Sequence, residues 1–148
     1  MTAMHLCSPD DLPRILPLVA RFHEEIGIAS EEDHREAAIK PLLDGSPLGA
    51  VYLMGPARAP VGYVVITFGW SVEFGGIDAF VDELFIRPSV RGRGLATEAL
   101  LALSKALSQG GVRALHLEVA TEDQATIRLY QRNGFSIRDG YHLMSKSL

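Results

Sequence analysis

Cysteine is nearly absent from this sequence of 148 residues, in which Cys7 is the single one. One cysteine cannot form a disulfide within the chain, and the apolar neighbours of Cys7 are typical of a small buried side chain. Long apolar runs are also lacking, since the longest, residues 61–70, has about half of the roughly 20 residues that a membrane helix needs. No basic region followed by an apolar run marks the N-terminus. The sequence therefore predicts a cytoplasmic protein with no targeting segment and no membrane partner.

Positive charge is in deficit as well. The chain has 14 Lys and Arg against 18 Asp and Glu, a formal net charge of −4, whereas a nucleic-acid surface needs clustered cations. We expect no nucleic-acid partner. The histidines show no metal-ligand spacing, so packing or surface roles are predicted for them and no metal is expected. They are His5, His23, His34, His116 and His142.

Apolar residues are plentiful, at 47% of the chain. A chain of this length buries roughly 68–70% of the surface that its unfolded form exposes, so it needs no metal or disulfide for stability. No internal repeat, linker or low-complexity segment interrupts it. Residues 1–148 are therefore predicted to form a single domain.

Periodicity and breaker residues predict an α+β fold. The predicted strands are residues 3–7, 50–54, 61–68, 79–86, 114–119, 135–137 and 141–144. The predicted helices run from Ser8 to Gly27, from Ser30 to Gly45, from Leu95 to Gly110, and over 125–132. Strands two to four follow one another directly and predict an antiparallel meander. The helix from Leu95 then embeds one β-α-β unit in a mixed, mostly antiparallel sheet flanked by helices.

A glycine-rich turn between a strand and a helix is the most informative segment. The amides at the start of the helix from Leu95 have no partner within the helix, and they converge with the positive end of its dipole. Gly92 and Gly94 let the backbone approach a pyrophosphate, and Arg91 and Arg93 add positive charge. The turn therefore predicts a phosphate-binding site.

Two other interpretations of the turn remain open. The glycines could serve only a tight turn with solvated arginines. Alternatively, Gly92 and Gly94 resemble the first glycines of a dinucleotide-binding fingerprint, with Glu118 near the ribose-binding offset. Thr97 stands where that fingerprint has its third glycine, and little chain follows to complete a parallel sheet.

The segment Arg91-Gly92-Arg93-Gly94-Leu95-Ala96 resembles the Arg/Gln-x-x-Gly-x-Gly/Ala signature of the GNAT superfamily of acyl-CoA-dependent N-acyltransferases. A second block, residues 127–135, is similar to the family pattern of Leu-Tyr, a short spacer and Gly-Phe. The motifs cover about residues 80–135, and the order of predicted elements agrees over the whole chain. Two blocks at the right separation are more specific than either alone.

The resemblance implies a coenzyme A site. The amides of Gly92 to Thr97 would hold the pyrophosphate, and the main chain of Leu84, Phe85 and Ile86 would pair with the pantetheine arm where the sheet splays after Ile86. The cofactor-binding residues implied in this way are Leu84, Phe85, Ile86, Arg91, Gly92, Arg93, Gly94, Leu95, Ala96, Thr97, Asp123 and Tyr130. Asp123 departs from the family pattern, which has Asn there, and an ionised Asp cannot donate a hydrogen bond.

The resemblance also implies catalytic roles. Tyr130 of the Leu-Tyr pair would lie near the coenzyme sulfur and protonate the departing thiolate, the alternative being that its ring only packs on the sheet. Asp82 and Glu83 are the candidate bases, because family members often use a carboxylate on that strand. Strand residues alternate, so the two are expected on opposite faces. A solvated acidic pair with no catalytic role is the alternative.

The implied reaction is acetyl transfer from acetyl-CoA to a primary amine by direct attack in a ternary complex. Cys7 lies far from the motifs, which disfavours a covalent intermediate. The acidic balance favours a small cationic acceptor, with peptide amines and amino acids left open, and a homodimer is compatible with the family. A non-catalytic acyl-CoA-binding or sensing module is the alternative function. Phe22, His23, Trp70 and Phe74 are candidates for the acceptor pocket or, equally, for the core.

Overall fold

The computed structural model describes residues 4–148, which form two compact units. The first extends to Glu118, and the second comprises Val119–Leu148. The organisation as a single domain stays a prediction.

A five-stranded sheet in the order β1-β2-β3-β4-β5 forms the first unit. Its strands are β1 (Met4–Leu6), β2 (Gly49–Met54), β3 (Gly62–Ser71), β4 (Gly76–Ile86) and β5 (Ala114–Leu117). The first three pairings are antiparallel, and β4 pairs β5 in parallel. The helices of this unit are α1 (Leu12–Glu25), α2 (Glu32–Leu43) and α3 (Leu95–Gln109), and α4 (Gln124–Arg132) belongs to the second.

This topology confirms the predicted mixed, mostly antiparallel α+β fold with its embedded β-α-β unit. It also contradicts the dinucleotide-binding alternative, because that fold needs a mostly parallel sheet, whereas β4 and β5 form the one parallel pair of strands among residues 4–148. Ala3, the first residue of the predicted initial strand, lies outside the described residues.

The core of the first unit packs α1 and α2 on one face of the sheet. In α1, Ile15, Leu18 and Val19 are buried at helical spacing, and burying each such side chain stabilises the fold by roughly 1.5–3 kcal/mol. The buried cluster comprises Cys7, Ile15, Leu18, Val19, Ile39, Leu43, Val51, Leu53, Tyr63, Val65 and Phe85. The helix therefore owes its place to tertiary burial more than to intrinsic propensity.

The two predicted closing strands are wrong. Residues 135–148 adopt no strand, and β5 ends at Leu117 instead of residue 119. Tyr141 and Leu143 of the predicted last strand are both exposed, at 78% and 74%. Apolar alternation predicts a strand only where a neighbouring strand supplies hydrogen-bond partners, and none within residues 4–148 pairs with this segment.

Candidate active site

An irregularity in β4 determines where its two acidic residues lie. Opposite β3, Val65 pairs with Glu83 and Ile66 pairs with Val81, so Asp82 is an extra residue in a β-bulge. Paired residues share a face, and Glu83 therefore lies on the face of Val65, which packs in the core, and within reach of His23 on α1. Strict alternation does not continue through a bulge, so the prediction that Asp82 and Glu83 point to opposite faces stays a prediction.

Glu83 accepts a hydrogen bond on each carboxylate oxygen. The hydroxyl of Tyr63 donates to Oε1 at 2.8 Å, and Nε2 of His23, on α1, lies 2.6 Å from Oε2. Tyr63 is fully buried, and burial together with the negative charge of Glu83 raises its pKa, so the phenol stays protonated and donates. The side chains of His23 and Glu83 remain 13% and 17% exposed. Glu83 is thus a partly desolvated carboxylate held in one orientation.

Asp82 has a different environment. Partial burial, followed by the charges of Glu83 and Glu118, raises its pKa, and His23 opposes the shift. No side-chain hydrogen bond to Asp82 is found within residues 4–148, in contrast to the two that fix Glu83. The two candidate bases therefore differ in how their carboxylates are fixed, since within residues 4–148 only that of Glu83 is held by side-chain hydrogen bonds on both oxygens.

Beyond Val81, the edge of β4 that faces β5 is open, since no strand within residues 4–148 pairs with it there. The parallel pairing ends at Val81 and Leu117, so the strands part there and not after Ile86 as predicted. The Arg87 amide donates to the Val61 carbonyl at 2.8 Å, and alternation then directs the main chain of Phe85 to β3 and that of Leu84 and Ile86 to the open edge.

A side chain at Gly62 of β3 would collide with the Phe85 carbonyl, which shows independently that this carbonyl faces β3. The prediction that the main chain of Phe85 pairs with the pantetheine arm is therefore wrong. The ring of Phe85 is buried in the core. Leu84 and Ile86 remain candidates for pairing with the arm.

The glycine-rich turn has the backbone that an anion site requires. Gly92 and Gly94 both have φ of +79°, a conformation that favours glycine, and α3 begins directly afterwards at Leu95. The amides of Leu95, Ala96 and Thr97 occupy the first turn of α3 and have no acceptor inside the helix. A Cβ at Gly92 or Gly94 would meet no atom within 4 Å, so open space lies in front of the turn.

Arg91 is bound within the protein instead of being free for a ligand. Its guanidinium donates twice to the Glu25 carboxylate at 2.7 Å, and its Nε donates to the Ile86 carbonyl at 2.8 Å. The hydrogen bond from Arg91 lowers the pKa of Glu25. This corrects the expectation that Arg91 adds free positive charge: the side chain joins the turn to the end of α1. Arg93 is exposed in the turn.

The second unit contains the other two predicted residues. The carboxylate of Asp123 caps α4, accepting hydrogen bonds from the Thr126 amide at 3.2 Å and hydroxyl at 2.7 Å, and these bonds lower its pKa. Tyr130 is half-buried, with its ring centroid 5.8 Å from that of Phe135. Its hydroxyl has no hydrogen-bond partner within residues 4–148, and burial followed by the charge of Asp123 raises its pKa.

The four candidate acceptor-pocket residues lie in two places. Phe22 packs against Tyr63 and Phe85, with centroids 6.3 and 5.9 Å away, and is adjacent to His23 in the Glu83 network. Trp70 and Phe74 lie instead at the far end of the β3–β4 hairpin, 71% and 40% exposed. The four residues therefore do not line one pocket.

Cys7 is buried, as predicted, and burial followed by the charge of Asp11 raises its pKa to about 12. A protonated thiol is a weak nucleophile. Although the sequence spacing predicts no cluster of metal ligands, potential ligand atoms of His5, Cys7 and Asp11 lie within 4.8 Å of one another. The Asp11 carboxylate already binds the Ser8 amide and the Arg14 guanidinium.

Sequence reasoning missed the contacts that fix Glu83. It proposed Glu83 as a base and His23 as a pocket residue but did not predict a hydrogen bond between them. It assigned no role at the site to Tyr63 or Ser30. His23, Tyr63 and Ser30 are 60, 20 and 53 positions from Glu83, so no local pattern could reveal the contacts.

The profile of the family described as the Acetyltransferase (GNAT) family matches residues 14–135. With the sheet, the open strand edge and the glycine-rich turn described above, this match places the chain in that family.

Two solved structures and one curated relative show the likeness in detail. The Bacillus subtilis (strain 168) protein called Uncharacterized N-acetyltransferase YycN is 37% identical over 71 residues, which are 48% of this chain and 44% of that protein. The chain thus spans less than half of that relative. The integron cassette protein HFX_CASS3, from the mobile metagenome of Cole Harbour Salt Marsh, is 34% identical with a TM-score of 0.84, covering 98% of this chain and 90% of the other.

Aminoglycoside N-acetyltransferase AAC(6')-Iy in complex with CoA shares the fold, with a TM-score of 0.83 at 15% identity, covering 100% of this chain and 96% of the other. No helix within residues 4–148 has the length and apolar character needed to cross a membrane.

Proposed function

We propose that this protein transfers an acetyl group from acetyl-CoA to the primary amine of a small cationic acceptor, by direct attack in a ternary complex. The observation that carries the proposal is the doubly hydrogen-bonded carboxylate of Glu83, on the strand whose open edge leads to the glycine-rich turn. Family membership supports the class of reaction, and the donor and acceptor are the proposed details.

The first unit fits coenzyme A as acyl donor. The amides at the start of α3 and the open space before Gly92 and Gly94 suit a pyrophosphate. The open β4 edge offers the main-chain groups of Leu84 and the amide of Ile86 to an extended, amide-bearing arm, as an added strand would use them, whereas the Ile86 carbonyl already accepts from Arg91 Nε. When bound, acetyl-CoA supplies a thioester carbonyl activated for attack by an amine.

Glu83 is the proposed base. An amine attacks only when its nitrogen is neutral, so a carboxylate that removes a proton, directly or through one water, raises the reactive fraction. Asp82 and Glu83 together favour a cationic acceptor by charge. Asp82 remains the alternative base, and the fixed orientation of Glu83 favours it over Asp82.

Tyr130 is the proposed proton donor to the departing thiolate. Its pKa is raised, so the hydroxyl is protonated at neutral pH, and within residues 4–148 it has no hydrogen-bond partner to give up. We expect Tyr130→Phe to lower kcat by about 10- to 100-fold with little change in acetyl-CoA affinity, as measured by steady-state kinetics and calorimetry. Tyr141→Phe, at an exposed position of the same unit, is the matched control. A wild-type kcat for Tyr130→Phe would refute the role.

The proposed function is tested by acetyl-CoA-dependent thiol release over a panel of polyamines, aminoglycosides, amino acids and short peptides, with calorimetric binding of coenzyme A in parallel. We expect release with small cationic amines. Release with another amine class would contradict the proposed acceptor. Coenzyme binding without release from any amine would instead support the acyl-CoA-binding module, and absence of binding would overturn the coenzyme site.

A further inference from the structure

A chain of side-chain hydrogen bonds leads from α2 to Glu83. Nε2 of His23 contacts Glu83 Oε2 at 2.6 Å, and Nδ1 of the same ring lies 2.8 Å from the hydroxyl of Ser30. Nη1 of Arg35 donates to that hydroxyl at 3.1 Å and also to the Ser30 carbonyl. Arg35, Ser30 and His23 therefore form a continuous chain of hydrogen bonds that ends on one carboxylate oxygen of Glu83.

We propose that His23 is a positioning residue that holds Glu83 ready to receive the proton of the acceptor amine, with Ser30 and Arg35 setting the state of the imidazole. The inference rests on the proposed role of Glu83 as the base. His23 itself contacts neither substrate in this scheme, because its two ring nitrogens are occupied by Glu83 and Ser30.

The direction of each hydrogen bond follows from the groups that can donate. Arg35 only donates, so it occupies one lone pair of the Ser30 hydroxyl oxygen and leaves the hydroxyl hydrogen for another acceptor. That hydrogen can go to Nδ1 of a neutral His23, which places the ring hydrogen on Nε2, facing the ionised carboxylate of Glu83. If Nδ1 carries a hydrogen as well as Nε2, so that the ring is an imidazolium, Ser30 accepts with its second lone pair. In both states His23 donates to Glu83.

The apolar surroundings of His23 make its hydrogen bond to Glu83 difficult for water to replace. The rings of Phe22, Tyr63 and Phe85 pack together next to His23, and the His23 and Glu83 side chains are largely withdrawn from water. Water replaces a lost hydrogen bond poorly at such a place. In the proton transfer an N–H bond of the amine breaks and an O–H bond forms on Glu83, while the donors from His23 and Tyr63 keep the carboxyl group in place.

The test compares His23→Leu with His23→Gln. Leucine removes the donor, whereas the glutamine amide can present an N–H near the position of Nε2. We expect His23→Leu to lower kcat for the amine by about 10- to 100-fold with the KM for acetyl-CoA unchanged, and His23→Gln to restore kcat to within about threefold of wild type. His34→Leu, at an exposed position of α2, is the matched control and should leave kcat unchanged.

A double variant separates positioning from direct action. In the Glu83→Gln background, His23→Leu should cause no further loss of kcat, because His23 acts through Glu83. A wild-type kcat for His23→Leu, no recovery with glutamine, or a full additional loss in the double variant would each overturn the inference. If Glu83→Gln itself keeps a wild-type kcat, the proposed base is refuted, which is distinct from failure of His23→Leu alone.

Should His23→Leu fail to fold, as judged by its thermal melt, Ser30→Ala serves instead. It removes the hydroxyl that faces Nδ1 but leaves the ring in place. We expect a loss of kcat of about threefold, and a wild-type kcat would overturn the inference.

Discussion

Gly94→Glu is expected to weaken coenzyme A binding by about 100-fold or more, which corresponds to about 2.7 kcal/mol. Position 94 faces open space at the N-terminus of α3, so the new carboxylate would project in front of the amides that are proposed to hold the pyrophosphate. A negative charge there repels a second anion strongly at short range. Calorimetric titration of coenzyme A into the variant measures the effect.

Gly111→Glu is the matched control for this change. Gly111 also has positive φ, +91°, with no atom within 4 Å of an added Cβ, but it follows the C-terminal end of α3. A non-glycine residue in the left-handed region costs roughly 1–2 kcal/mol of stability, so both variants bear similar strain. Only Gly94→Glu should lose coenzyme affinity, and unchanged affinity in a folded Gly94→Glu variant would refute the proposed pyrophosphate site.

The glycine-rich turn was predictable because its signal is local. Gly92 and Gly94 are needed for their positive φ, and both have it. The helix from Leu95 and the parallel pairing of β4 with β5 likewise follow from short-range patterns and from the rules for β-α-β units. The same holds for the buried stripe of α1.

The arrangement around Glu83 was not predictable in this way. The bulge at Asp82 is revealed only by the register between Val65 and Ile66 on β3, and it interrupts the expected alternation. The pairing of Arg91 with Glu25 joins residues 66 positions apart. Both depend on how α1 and β3 pack against β4, which periodicity within one element does not encode.

Glu83→Gln is expected to lower kcat for the amine by about 100- to 1,000-fold, the range typical of a lost general base. Glutamine has nearly the shape of glutamate but cannot take up a proton at neutral pH. Its amide oxygen can still accept from Tyr63, and its NH2 group can donate to His23 once the imidazole hydrogen moves to Nδ1, facing Ser30. The network therefore tolerates the substitution, and the loss should be catalytic. Steady-state kinetics at saturating acetyl-CoA measure it.

Asp82→Asn is the matched control, because it neutralises the adjacent carboxylate, whereas the hydrogen bonds of His23 and Tyr63 go to Glu83. If Glu83 is the base, Asp82→Asn should change kcat by less than about tenfold and act mainly on the KM for a cationic amine, through the lost charge. The reverse pattern, with kcat lost in Asp82→Asn and kept in Glu83→Gln, would assign the base to Asp82. Since Asp82 is the extra residue of the bulge, that result would mean that the bulge presents the base and that the hydrogen bonds to Glu83 serve the core.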